Sequence, residues 1–132
     1  HRHNAEIHQE LNKYTKSKMK FIFTPHLTPM FRGILSTFYI DLKKGFSNKK
    51  IYKILKNFYK KNLFIKVLKL NSLIGTNEVI NTNNCVISIC KTKYKNKIII
   101  LSAIDNLIKG GAGQAIQNLN IKYSFSESRG LV

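Results

Sequence analysis

The chain has 132 residues, 43% of them hydrophobic, and carries 23 Lys and Arg against 6 Asp and Glu, a formal charge of +17. That length fits one domain with a sizeable core, and the apolar fraction excludes a disordered polycation. Apolar runs are short, Ile98 to Leu101 being typical, so no membrane span and no membrane partner are expected.

Charge alone would point to nucleic acid. Its makeup argues otherwise. Twenty Lys stand beside three Arg (Arg2, Arg32 and Arg129), whereas nucleic-acid readers favour the guanidinium fork, which grips phosphate and guanine in two places. Asn, Ile and Phe are plentiful and Ala is scarce, the profile that A/T-rich codons leave on solvated faces. We therefore expect no nucleic-acid partner, with a small basic, ribosomal-type binding module as the alternative. The chain opens on His1 rather than Met, so a piece of something longer is expected.

In chain order, Asn4 to Leu11 reads as a short helix, with Asn4 as N-cap, Glu6 in its first turn, and Ile7 and Leu11 on one face. Phe21 to Thr24 is a strand candidate stopped by Pro25. The loop from Pro25 to Gly33 holds both prolines of the chain, which constrains its backbone. Ile34 to Leu42 is a second strand. Ser47 or Asn48 caps a helix reaching about Lys61, with Ile51, Ile54, Leu55 and Phe58 as its apolar stripe and lysines opposite. Phe64 to Leu70 alternates as a half-buried strand, and residues 71 to 84 form a polar loop. Cys85 to Lys91 and Lys97 to Ala103 predict an antiparallel hairpin.

Cys85 and Cys90 are five apart in a strand, hence on opposite faces. That spacing opposes a shared metal site or an internal disulfide and predicts two buried, reduced thiols. Asp105 can cap a final helix whose buried side would carry Leu107, Ile108, Ala112, Ala115, Ile116 and Leu119. The order α, β, β, α, β, β, β, α predicts an α+β domain, a mixed or antiparallel sheet with helices on one face, over residues 1–132.

Three stretches hold the chemistry. His1-Arg2-His3-Asn4-Ala5-Glu6 places two imidazoles, a guanidinium and a carboxylate together, and Glu6 lies one helical turn from His3, a pairing suited to acid–base work near neutral pH. A surface patch of polar residues is the alternative, and no metal-ligand spacing is present. Thr24-Pro-His-Leu-Thr-Pro-Met-Phe-Arg-Gly33 presents His26 and Arg32, which could clamp an anion. Ile104 to Asn120 contains Gly110, Gly111 and Gly113, each costing about 1 kcal/mol in a helix interior relative to Ala. They make sense where a cofactor ring or another domain approaches the backbone; a Gly/Ala helix packed on the sheet is the alternative. The run has no dinucleotide fingerprint.

Those three stretches, in that order and with Gly130-Leu131 at the end, resemble the N-acetyl-gamma-glutamyl-phosphate reductases, NADPH-dependent enzymes of arginine biosynthesis. His1-Arg2-His3-Asn4-Ala5-Glu6-Ile7 is similar to the family's His-Arg-His-x-Pro-Glu-Ile segment, with Ala5 in place of Pro. The resemblance covers the C-terminal portion of such an enzyme. It implies a glyceraldehyde-3-phosphate dehydrogenase-like C-terminal domain for catalysis and dimerisation. The NADP-binding domain and nucleophilic cysteine would lie outside this chain, which alone should be inactive.

The implied reaction takes N-acetyl-gamma-glutamyl phosphate to its semialdehyde through a cysteine thioester, with NADPH as reductant. The resemblance implies His3 as acid–base group, His1 as the reserve and Glu6 as its positioner. It implies Arg2 and Arg32 for the substrate's anionic groups, and Gln114, with Gly111 and Gly113 giving close approach, for the nicotinamide amide. No metal is implied. A homo-oligomer, dimer or tetramer, formed through the sheet face, and a cytoplasmic location complete the expectation.

Overall fold

The computed structural model describes residues 3–15 and 19–132. Its elements are α1 (His3–Lys13), β1 (Ile34–Asp41), α2 (Asn48–Tyr59), β2 (Ile65–Val67), β3 (Cys85–Lys91), β4 (Lys97–Ile104) and α3 (Gly113–Lys122). A 3-10 turn spans Thr76–Glu78, and a π-type turn, Ile108–Ala112, leads into α3. The α+β expectation holds.

The four strands form one mixed sheet in the order β1-β4-β3-β2. β4 sits between two antiparallel neighbours, pairing Ile34 with Ile104 on one side and Cys85 with Ile104 on the other. β2 joins β3 in parallel, Ile65 opposite Cys85. The hairpin turn between β3 and β4 is tied by Thr92, whose hydroxyl donates to the carbonyls of Tyr94 and Lys97 and accepts from the Tyr94 amide. At the far edge, Lys97 and Asp41 form an ion pair across β4 and β1.

Register assigns the faces, because side chains alternate along each strand. Val86 of β3 and Ala103 of β4 are directly opposed and meet buried Val79, with Leu68 and Ile74 packed against them. The loop from 68 to 84 thus covers that face. Ser88 and Cys90 share it and both reach the Ser72 carbonyl. The opposite face carries Cys85, Ile87 and Ile89, with Ile89 and Ile98 fully buried. α2 packs against β2 and β3. Cys85 lies 3.5 Å from the Ser102 hydroxyl. The two thiols are on opposite faces as the spacing predicts, unbonded and half-buried rather than fully buried.

α2 begins where its sequence says it should. Ser47 is extended, and its hydroxyl accepts from the Lys50 amide at 3.2 Å, satisfying one orphan donor of the first turn.

Several expectations are corrected. Phe21 to Thr24 joins no strand in the described sheet: Pro25 closes the run after four residues, and Phe21 packs its ring on His8 of α1 instead. The strand expected over 64–70 shortens to Ile65–Val67: Asn71, at φ 64°, turns the chain away while its side chain caps the Lys91 amide at 3.0 Å. α1 starts at His3, so Asn4 is a helical residue and not an N-cap.

α3 is inverted relative to its sequence reading. Its buried residues are Gly113, Gln117 and Asn120, while Ile116, Leu119 and Ile121 face outward, Leu119 being 50% exposed. The reason is the C-terminal tail. Asn120 donates Nδ2 to the carbonyls of Glu127 and Arg129, and Gln117 donates Nε2 to Glu127 Oε1. The helix spends its inner face holding polar backbone.

Two substitutions separate local from tertiary stabilisation. Ser47→Ala should cost about 1 kcal/mol as a lost cap. Ile89→Ala should cost about 2–5 kcal/mol as a core cavity. Urea midpoints at constant slope would check both.

Candidate active site

The candidate site is organised by Asp105, at the end of β4. Its carboxylate is completely buried, yet it carries a charge because every lone pair is used. Oδ1 accepts from Leu107 N at 2.9 Å and Ile108 N at 3.2 Å, capping the turn that follows. Oδ2 accepts from Asn81 N at 2.8 Å, a residue held at φ 61°. Arg32 Nε lies 3.1 Å from Oδ1 and 2.9 Å from Oδ2, in a pair that is 23% exposed on the Arg side and 0% on the Asp side. Burial pushes the Asp105 carboxyl up, but the Asn81 amide, Arg32 and the Leu107 and Ile108 amides outweigh it and bring it down to about 2.

The Pro-rich loop reaches this centre at its last two residues. Arg32 supplies the ion pair. Gly33 N donates to Asn106 Oδ1 at 2.9 Å. Gly33 has φ +106°, and a Cβ there would sit 2.7 Å from the Thr76 side chain, so only glycine lets the loop pass. Arg32, expected at an anionic group, is therefore anchored. Among the described residues its only hydrogen bonds go to Asp105, all through Nε.

Beyond Asp105 the chain makes one wide turn. Gly110 N reaches Asp105 O and Ala112 N reaches Leu107 O, both five residues back, before Gly111 breaks helical geometry at φ −151°, ψ −115°. The two expected cofactor glycines differ. Gly111 is exposed, with nothing nearer to its would-be Cβ than Asn106 O at 3.5 Å. Gly113 is buried, and a Cβ would meet Ile108 Cγ2 at 2.5 Å and Asn83 Oδ1 at 2.6 Å, so its close approach is to this domain's own Asn83. Gln114 donates Nε2 to Asn118 Oδ1 at 2.8 Å. Its Oε1 accepts nothing among the described residues, which suits the N–H of a carboxamide.

Beneath the turn runs a polar network that sequence reasoning missed. Asn83 Nδ2 donates to Gln117 Oε1 at 2.9 Å, and Lys109 Nζ donates to the same oxygen at 2.6 Å. Burial lowers the Lys109 pKa, against the opposing pull of Cys85 and Glu127. Asn83 Oδ1 is buried with no partner. The available signal was scarcity: in a chain with six acids, Asp105 and Glu127 flank the glycine-rich helix.

His1 and Arg2 lie outside the described residues. His3 and Glu6 are exposed on the first turn of α1, which docks through His8 on Phe21 at 4.2 Å between ring centroids and through Asn12 Oδ1 on Met19 N. The structure brings Arg32, the Asn81 amide and the Leu107 and Ile108 amides to one carboxylate, while Gln114, in α3, bonds Asn118. No group of three His, Cys, Asp or Glu that could hold a metal occurs among the described residues. No helix among them is long and apolar enough to cross a membrane.

The family model for the semialdehyde dehydrogenase dimerisation domain matches residues 1–106. The chain belongs to the semialdehyde dehydrogenase dimerisation-domain family. Among curated proteins it is 47% identical over 131 residues to an N-acetyl-gamma-glutamyl-phosphate reductase of Thermoanaerobacter pseudethanolicus, covering 99% of this chain and 38% of that one. The reductase of the same name from Clostridium botulinum is also 47% identical with the same coverage. That of Staphylococcus saprophyticus is 42% identical over 132 residues, 100% of this chain and 38% of the relative. This chain spans 38% of the length of these relatives. The family match ends at residue 106, so the wide turn and α3 lie beyond it.

Acid titration should expose the Asp105 arrangement. A carboxyl whose folded pKa is about 2, below its ordinary 3.8, contributes stability that is full above about pH 4 and lost as pH falls through 2. Urea midpoints between pH 5 and 2 should therefore fall for the wild type. They should be lower and flatter for Asp105→Asn; parallel curves would remove Asp105 as the titrating group.

Proposed function

We propose that this chain is the catalytic and dimerisation portion of an NADP-dependent N-acetyl-gamma-glutamyl-phosphate reductase of arginine biosynthesis, working in the cytoplasm. The observation that carries the reading is 42–47% identity to reductases of that name along essentially the whole chain. The substrate is the acyl phosphate and the product the N-acetylglutamate semialdehyde.

The nucleophile is a cysteine outside this chain. Cys85 and Cys90 are unsuited to the role: Cys90 points to the Ser72 carbonyl under the 68–84 loop, and Cys85 sits in β3 against Ser102. The external thiolate adds to the acyl carbon, the carbon–oxygen bond to phosphate breaks, and a thioester remains. Reduction of that thioester needs a hydride, which NADPH supplies when bound. The imidazole of His3 accepts the thiol proton and then protonates the oxygen that gains negative charge, with His1 as the reserve. Glu6, one turn along α1, steadies His3. Arg32, with Arg2, meets the substrate's carboxylate or phosphate, and Gln114 takes the nicotinamide carboxamide beside Gly111.

Two apolar surfaces support a multi-part assembly. β1, the sheet edge strand, leaves Phe38 49% and Tyr39 80% exposed, beside Ile34, Leu35 and Ile40. Such a patch suits a second copy of the chain, giving a homo-oligomer through this part of the sheet. The outward face of α3, with Ile116, Leu119 and Ile121, suits the cofactor-binding domain that would make up the remaining length. The lysines offer little to nucleic acid. Lys50 lies over Phe46, Lys56 over Tyr52, Lys93 over Tyr94 and Lys122 over Tyr123, scattered rings rather than one groove.

In the full-length polypeptide, His3→Asn should lower the turnover of acyl phosphate by about 10²–10⁴-fold while NADPH binding stays as it was. Stopped-flow reduction and cofactor fluorescence would separate the two effects. Near-normal turnover would remove His3 from its role, and a wild-type polypeptide without acyl-phosphate reduction would sink the reading.

A further inference from the structure

We propose that Asp105 is a positioning residue for substrate binding: it fixes the Arg32 guanidinium for the substrate's anionic group, in register with the turn that leads to Gln114 at the start of α3. The inference rests on the reductase reading and deepens it. Arg32 is gripped side-on. Both carboxylate oxygens face its Nε, at 3.1 and 2.9 Å, and no described residue bonds its terminal nitrogens. Those two nitrogens carry four N–H donors in a planar fork, the geometry that takes a carboxylate or phosphate in two places. The side chain keeps 23% of its surface exposed while its Nε is held on the buried carboxylate.

The grip extends to the backbone. The next residue, Gly33, is pinned by the Asn106 side chain at 2.9 Å and closed in by Thr76. A free Arg spreads over many rotamers and loses that freedom on binding, whereas an anchored one has already lost it. The same carboxylate caps the turn towards Gln114 through Leu107 N and Ile108 N. Movement of Asp105 would therefore shift the Arg32 fork and the glycine turn together. Asp105 touches no substrate and acts through Arg32.

The test uses the full-length polypeptide and Asp105→Asn, which keeps the size and one acceptor oxygen but turns the other into an N–H donor and loses the charge facing Arg32. KM for the acyl phosphate should rise about tenfold or more while kcat changes by less than about threefold, the split expected when binding geometry is lost. In an Arg32→Ala background the same substitution should add almost nothing. An unchanged KM in a folded variant, or an equal rise in both backgrounds, overturns the proposal.

Should Asp105→Asn not fold, Arg32→Lys keeps the charge but has no side-on nitrogen, and a normal KM for it is equally fatal. A second measurement does not need turnover. Phenylglyoxal modification of Arg32, located by peptide mapping, should be slowed by inorganic phosphate in the wild type and not in Asp105→Asn. Absence of reductase activity with that protection intact would defeat the functional reading and leave the positioning role standing; absence of protection defeats the positioning role.

Discussion

The fold around the candidate site depends on one buried negative charge. Removing Asp105 from water is costly, and the structure offsets the cost with three backbone amides and a guanidinium drawn from separate parts of the chain. Each donor fixes a segment: the Pro-rich loop through Arg32, the 76–84 loop through Asn81, the wide turn through Leu107 and Ile108. None of these segments has a regular ladder of its own. The carboxylate does for them what hydrogen-bonded strands do for β3 and β4.

α3 shows how a tail can reverse the usual sidedness of a helix. Interior position normally goes to Ile and Leu, and here it goes to Gln117 and Asn120. The exchange is stable because their amides, at the buried positions, bond the carbonyls of Glu127 and Arg129 and the Glu127 carboxylate. Lys109 and Asn83 join through Gln117, so the glycine turn and the tail share one polar core. The outer side carries Ile116, Leu119 and Ile121 beside Asn118 and Lys122.

The regular elements were legible because local chemistry and tertiary context agree in them. Ser47 is a good cap at the head of a 3.6-period stripe, and the β3–β4 hairpin alternates with a polar turn between. Phe21 to Thr24 has strand composition but pairs with no strand of the described sheet, and pairing is not a local property. The sidedness of α3 was misread for a related cause. Its periodicity fits burial of Ile116 and Leu119 well, and only the tail's unpaired carbonyls, invisible in a helical wheel, decide otherwise. Arg32 and Gln114 could be singled out as candidates by motif, and the structure holds the first on Asp105 and the second on Asn118. Asp105 looked like a helix cap, because the sequence does not reveal that Arg32 arrives from 73 positions away.

The strand order has a consequence for how the chain is made. β4 is the shared partner of β1 and β3, and Ile34 meets Ile104 seventy residues downstream. β3 and β4 find each other across a short turn and can close quickly. β1 cannot. During synthesis its Ile, Leu, Phe and Tyr side chains emerge early and wait, unpaired, until almost the whole sheet has been translated. β1 also stays largely exposed in the finished domain, so slow closure of the sheet leaves this apolar strand open to wrong pairing while the chain is made.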